Sequence, residues 1–125
     1  MTPAAPTEVG VLLDEDLDVR LREPLAGRLA PDGYLVRTVR DMGWLGVKNG
    51  PLLDSMAEAG LKVLITADVH LYRQRSGVLR RLGIGTVVVH GADHLLGNET
   101  RLDQVAAAVR RVGTCELVEV PGVRT

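Results

Sequence analysis

Cysteine, aromatic residues and lysine are all scarce in this chain of 125 residues. The single cysteine, Cys115, excludes an intramolecular disulfide and any multi-cysteine zinc site, in keeping with a reducing compartment. It reads as a small buried side chain of a late strand. Phenylalanine is absent, and Tyr34, Trp44 and Tyr72 are too few to build a base-stacking platform. No charge of one sign dominates: the formal net charge is −1, which argues against binding nucleic acid through bulk charge. Apolar runs are short. Ile84 to Ala92 is far from the length of a bilayer span, so no membrane association is expected. The start Met1-Thr2-Pro3-Ala4-Ala5-Pro6 lacks the basic and apolar regions of a signal peptide, and a cytoplasmic location is expected.

What is present fits one soluble domain with one core: 46% of residues are hydrophobic and 25% charged. Residues 1–7 are expected as a flexible Pro/Ala/Thr tail and 8–125 as the domain. Thirteen of the fifteen cationic residues are arginine, the side chain suited to bidentate phosphate contacts, although a high-GC coding sequence produces the same bias. From Val9 the chain alternates strand and helix signals. Strands are expected near Val9 to Asp14, Tyr34 to Val39, Val63 to Ile65, Ile84 to His90 and Glu116 to Val120. Helices are expected near Leu17 to Leu29, Pro51 to Ala59 before Gly60, up to Leu82 before Gly83, and Glu99 to Val112 behind Asn98 as N-cap. Pro24 is expected to kink or break the first helix. The all-apolar middle strands predict a three-layer α/β sandwich around a mostly parallel sheet.

In such sheets ligands bind beyond the carboxyl ends of the strands, where the strand order reverses. The first strand closes on Leu13-Asp14-Glu15-Asp16, with Asp18 beyond, and the third on Thr66-Ala67-Asp68. A 2-1-3-4-5 order sets Asp14 and Asp68 face to face. Carboxylates that close repel unless a cation lies between them, and magnesium, or manganese, suits an oxygen-only set. Such an ion activates water for attack on a phosphodiester. The plainer reading, that these acids end a strand and cap a helix, is preferred for Asp18.

The opening Val11-Leu12-Leu13-Asp14-Glu15-Asp16-Leu17 resembles the L-L-D-E-N-L start of the small PIN-like proteins, nucleases often encoded as toxins of bacterial toxin-antitoxin pairs and related to VapC-type toxins. Gly33-Tyr34-Leu35-Val36-Arg37-Thr38-Val39 is similar to that family's second strand. Asp41-Met42-Gly43-Trp44-Leu45-Gly46-Val47-Lys48-Asn49-Gly50 is similar to its M-G-W-x-G-x-K-N-G loop, and Leu64-Ile65-Thr66-Ala67-Asp68 to its L-x-T-x-D third strand. The resemblance spans residues 9 to 120. It implies a PIN-like fold, a magnesium-dependent ribonuclease, an RNA substrate, a small antitoxin partner and a homodimer. It also implies metal-binding roles for Asp14 and Asp68, which Asp16 joins as a third carboxylate for one metal, with Glu15, Lys48 and Asn49 as accessory residues.

Two departures stand out. Asp16 replaces the pattern's asparagine, and Asp68-Val69-His70-Leu71-Tyr72 lacks the further acid of fuller nucleases, so a two-metal site is poorly supplied. Asn49 also reads as an N-cap for the second helix, and Lys48 as an exposed lysine. Arg73, Arg75, Arg80 and Arg81 follow Asp68 and either hold an RNA backbone beside the metal or form a solvated helix face. His90 and His94 have i, i+4 spacing, but across a glycine-containing loop, a weak zinc signal. Trp44 is expected to anchor its loop against the sheet. Two other readings compete: a PIN-like binding protein without turnover, and a receiver-like phosphoacceptor domain. Against the receiver, the fourth strand ends in Val88-Val89-His90 without a hydroxyl, and the only lysines are Lys48 and Lys62.

Overall fold

The computed structural model describes residues 8–113 and 116–121. The expected tail, 1–7, and Cys115 lie outside these described residues. Five strands form one sheet: β1 (Val9–Leu13), β2 (Tyr34–Thr38), β3 (Leu61–Thr66), β4 (Gly85–Val89) and β5 (Leu117–Val120). All neighbours run parallel, in the order β2-β1-β3-β4-β5. The helices are α1 (Arg22–Leu29), α2 (Asn49–Glu58), α3 (Val69–Leu82) and α4 (Glu99–Arg111).

Side-chain alternation along the strands divides the apolar residues into two cores. Val11 and Leu13 of β1, Val63 and Ile65 of β3 and Val87 and Val89 of β4 pack with Leu25 and Leu29 of α1 and Leu102, Val105 and Val109 of α4. Leu12 and Leu64 point the other way, toward Leu52, Leu53 and Met56 of α2 and Leu71 and Leu79 of α3. The result is a three-layer α/β/α arrangement. Each of these leucines and valines contributes about 1.5–3 kcal/mol by leaving water.

The crossovers differ in hand. From β1 to β2 the chain steps one way with α1 on one face, and α2 and α3 step the opposite way on the other face, so these three connections share a hand. The α4 connection steps in the direction of α3 yet lies on the face of α1, which gives it the opposite hand. Parallel crossovers are right-handed in about 98% of cases, which makes β4–α4–β5 the left-handed one. Arg101 of α4 clamps this unit. It is 4% exposed, and its guanidinium donates to the carbonyls of His90 (2.5 Å) and Gly91 (2.6 Å) at the exit of β4 and of Pro121 (2.9 Å) at the exit of β5.

Two proline expectations need correction. Pro24 neither kinks nor breaks α1, because it is the third helical residue, in the first turn where backbone N–H groups have no intrahelical partner. The irregularity falls earlier, in a 3-10 turn over Val19–Leu21. Pro51 likewise occupies the third position of α2, so that helix begins at Asn49 and its N-cap is Lys48, not Asn49. Asn98 caps α4 as expected, its side chain accepting from the Arg101 N–H.

Candidate functional site

The reversal of strand order falls between β1 and β3, whose carboxyl ends carry the acids. The buried hydroxyl of Thr66, the last residue of β3, joins them. Thr66 Oγ1 donates to Asp14 Oδ2 at 2.8 Å and accepts the Asp68 N–H at 3.0 Å. Asp16 Oδ2 lies 3.4 Å from the same hydroxyl, and Asp16 Oδ1 accepts from the Ala67 N–H at 3.5 Å. Two acids of β1's exit thus converge on one residue of β3. In the sequence Thr66 stands out only as a member of the Leu64-Ile65-Thr66-Ala67-Asp68 motif. The signal that marks it is a hydroxyl closing an otherwise apolar buried strand.

This crowding shows in the acidities. Burial raises the Asp14 carboxyl above its usual range, with Asp68 and Glu15 adding repulsion against the lowering effect of its hydrogen bonds. Asp16 is pushed up to about 6, first by burial, then by the charge of Asp14 and, more weakly, of Asp68. Asp18 takes the plainer role: it caps the Val19–Leu21 turn, and hydrogen bonds from Arg20 hold its carboxyl below the usual range.

Asp68 divides its carboxylate. Oδ1 accepts the N–H groups of His70 (2.9 Å) and Leu71 (3.3 Å) as the N-cap of α3, and Oδ2 accepts from no described residue. Among the described residues no three His, Cys, Asp or Glu side chains stand together as a ready metal site. The donor set is nonetheless all oxygen, which suits a hard divalent cation in kind.

Glu15 reaches the loop Asp41 to Gly50, its Oε1 accepting from the Gly46 N–H at 3.2 Å. Trp44 packs, partly buried, against the core beneath α2 and α3, which anchors that loop as expected. Lys48 and Asn49 stand at the entry to α2 and make no hydrogen bond or ion pair with Asp14, Asp16 or Asp68. A cleft of 140 Å³ adjoins the acids, lined by Asp16, Asp18, Leu21, Ala92, Asp93 and Leu96.

The chain matches no known protein family, no curated protein and no solved structure.

The arginines after Asp68 separate into two groups. Arg73 and Arg75 are exposed in the first half of α3, and Arg75 lies over Gly50 at the start of α2, where a Cβ would come within 3.6 Å of Nη1. Arg80 and Arg81 occupy the last turn of α3, and at 1.5 Å per residue they are about 18 Å along the helix from Asp68. They do not border the acids, because α3 runs back along the whole length of the sheet. His90 and His94 do not pair either. His90 Nε2 lies 3.2 Å from Glu119 Oε1, and His94 ends a separate 3-10 turn, Ala92–His94. No helix among the described residues is long and apolar enough to cross a membrane.

Proposed function

We propose that the protein is a PIN-like, magnesium- or manganese-dependent ribonuclease and the toxin of a toxin-antitoxin pair. The observation that carries this reading is the convergence of Asp14 and Asp16 on Thr66, beside Asp68, at the switch point of the sheet. Asp14, Asp16 and the Oδ2 of Asp68, which do not stand together as a ready site, would close on the ion, which when bound supplies water activation and charge neutralisation at a phosphodiester. Thr66 orients Asp14 and ties Asp68 to it. Burial strips water from Asp14, so its charge acts at low screening. Leu45 and Leu96 are 55% and 41% exposed, one in the loop tethered by Glu15 and one lining the cleft beside Asp16. Two exposed leucines beside the acids suit a partner protein that covers the crevice, as an antitoxin would.

The test is cleavage of RNA with magnesium, with chelator, and in the variants Asp14→Asn and Asp68→Asn. Metal-dependent cleavage lost in both variants supports the enzyme. RNA binding without cleavage supports the binding protein that lacks turnover, and cleavage indifferent to both substitutions rules this site out. Size-exclusion chromatography with and without the product of a neighbouring gene separates homodimer from toxin–antitoxin complex.

The strand order is also that of the flavodoxin-like folds, which include receivers. The ends of the last two strands oppose that alternative: β4 is followed by His90 and β5 by Pro121, where a receiver needs a hydroxyl and a lysine. Stable labelling of Asp68 by a small phosphodonor would restore it.

A further inference from the structure

The outer surface of α3 carries a charge pattern unlike that of the α1–α4 layer. Between Val69 and Leu82 there are four arginines, one histidine and no acid. On the other layer four arginines are matched by acids, Arg20 by Asp18, Arg22 by Glu23, Arg28 by Glu99 and Asp103, and Arg110 by Asp32, while Arg101 serves main-chain carbonyls and Arg111 makes no ion pair with a described residue. Arg73, Arg75 and Arg81 are exposed and make no ion pair with any described residue, the exposed Asp54 and Glu58 of neighbouring α2 included. Gly77 stands between them, one helical turn from Arg73 and one from Arg81, and a Cβ there would meet nothing within 4 Å. Packing therefore does not call for a glycine at this position, and its absent side chain leaves bare backbone between two guanidinium groups.

We infer that α3 carries a binding track for the phosphate backbone of single-stranded RNA, leading away from the acid site, with Arg73 and Arg81 on its outer face and Arg75 on its flank toward α2 as phosphate contacts. The choice of RNA as the polyanion rests on the ribonuclease reading above. The geometry of the track does not. Its head is Asp68, which caps α3 at the acids, and Arg75 lies over the entry of α2 on the same side. From Arg73 to Arg81 the helix advances about 12 Å, room for about three stacked-strand phosphates at 3.4 Å each. Guanidinium forks suit phosphate oxygens, and a charge-neutral protein with such a local strip binds a backbone through the strip alone. The opposite wall of the crevice carries Asp93, which repels the same backbone and directs it over α3.

The experiment is fluorescence anisotropy of a short labelled oligouridylate in chelator, so that binding is read without cleavage, over a series of salt concentrations. The triple variant Arg73→Gln/Arg75→Gln/Arg81→Gln is expected to bind roughly tenfold more weakly, with the slope of log K against log salt reduced by about 2, at about 0.7 per lost contact. Gly77→Glu is expected to weaken binding by itself. Arg111→Gln, an exposed arginine of α4, is the control and is expected to change neither quantity. The inference is overturned if wild-type protein binds no RNA, if the triple variant keeps wild-type affinity and slope, or if Arg111→Gln does equal damage. It is also overturned if polyglutamate displaces the RNA as well as polyuridylate does, which would make the strip a site for an acidic protein. Binding that depends on α3 without any cleavage defeats only the nuclease reading, and cleavage with unchanged KM in the triple variant defeats only the track.

Discussion

Thr66 Oγ1 donates to Asp14 Oδ2 at 2.8 Å across the seam between β3 and β1, while the same oxygen accepts the Asp68 N–H. A second buried threonine, Thr86 in β4, has no hydrogen-bond partner for its hydroxyl among the described residues. The two therefore predict opposite outcomes. Thr66→Val removes the donor from a half-buried carboxylate and is expected to destabilise the protein by about 1–3 kcal/mol, whereas Thr86→Val is expected to be neutral or stabilising by about 1 kcal/mol. Urea denaturation of both variants checks the contrast.

The raised acidities set a pH dependence. An acid whose folded pKa exceeds its unfolded value of 3.8 binds more protons in the native state, so stability is fully present below that value and is lost as pH rises through the folded pKa. For Asp16 the window runs from about 4 to about 6. Metal-free protein is expected to lose thermal stability across that interval, and Asp16→Asn to flatten the loss. A wild-type melting temperature that climbs over the same interval contradicts the assignment.

A divalent ion acts in the opposite direction. Manganese at a hundredfold excess over its Kd stabilises a specific site by about 2.7 kcal/mol through mass action, and the gain is expected to vanish in Asp14→Asn. Asp68 separates its two roles by substitution. Asp68→Asn keeps an N-cap for α3 and is expected to melt like wild type without metal, whereas Asp68→Ala also loses the cap, at about 1 kcal/mol. Both are expected to show the smaller manganese shift.

Arg101 holds three main-chain carbonyls that no other described side chain serves. Arg101→Ala is expected to lower stability by about 3 kcal/mol, the scale of losing several charge-assisted bonds in a buried setting. Hydrogen exchange is expected to rise first at His90, whose amide bonds to Val120 O between the two strand exits.

Much of the fold was readable because its signals are local. Val63-Leu64-Ile65 is apolar on both sides and had to be a central strand, and Gly83 ends α3 in the left-handed conformation that glycine tolerates. Both acid stretches were visible as the residues that close strands. What stayed hidden depends on the third dimension. Pro24 resembles a breaker until the helix start is known, because the first turn asks no N–H of it. Arg80 and Arg81 stand close to Asp68 in number and far from it in space, since a helix of fourteen residues separates the two edges of the sheet. The hand of the α4 crossover leaves no local trace, and neither does Arg101, which reads as one more helix arginine until three carbonyls from distant turns surround it.

That hand has a consequence for the shape of the α3 layer. With α4 drawn to the opposite side, no helix among the described residues follows α3 across the sheet, and β5 turns Leu117, half-buried, and Glu119, exposed, to the open margin. The last helix of the layer thus forms a shoulder above a low ledge, approachable from its flank as well as from above. Had the final crossover obeyed the usual hand, α4 would stand on that ledge as a wall.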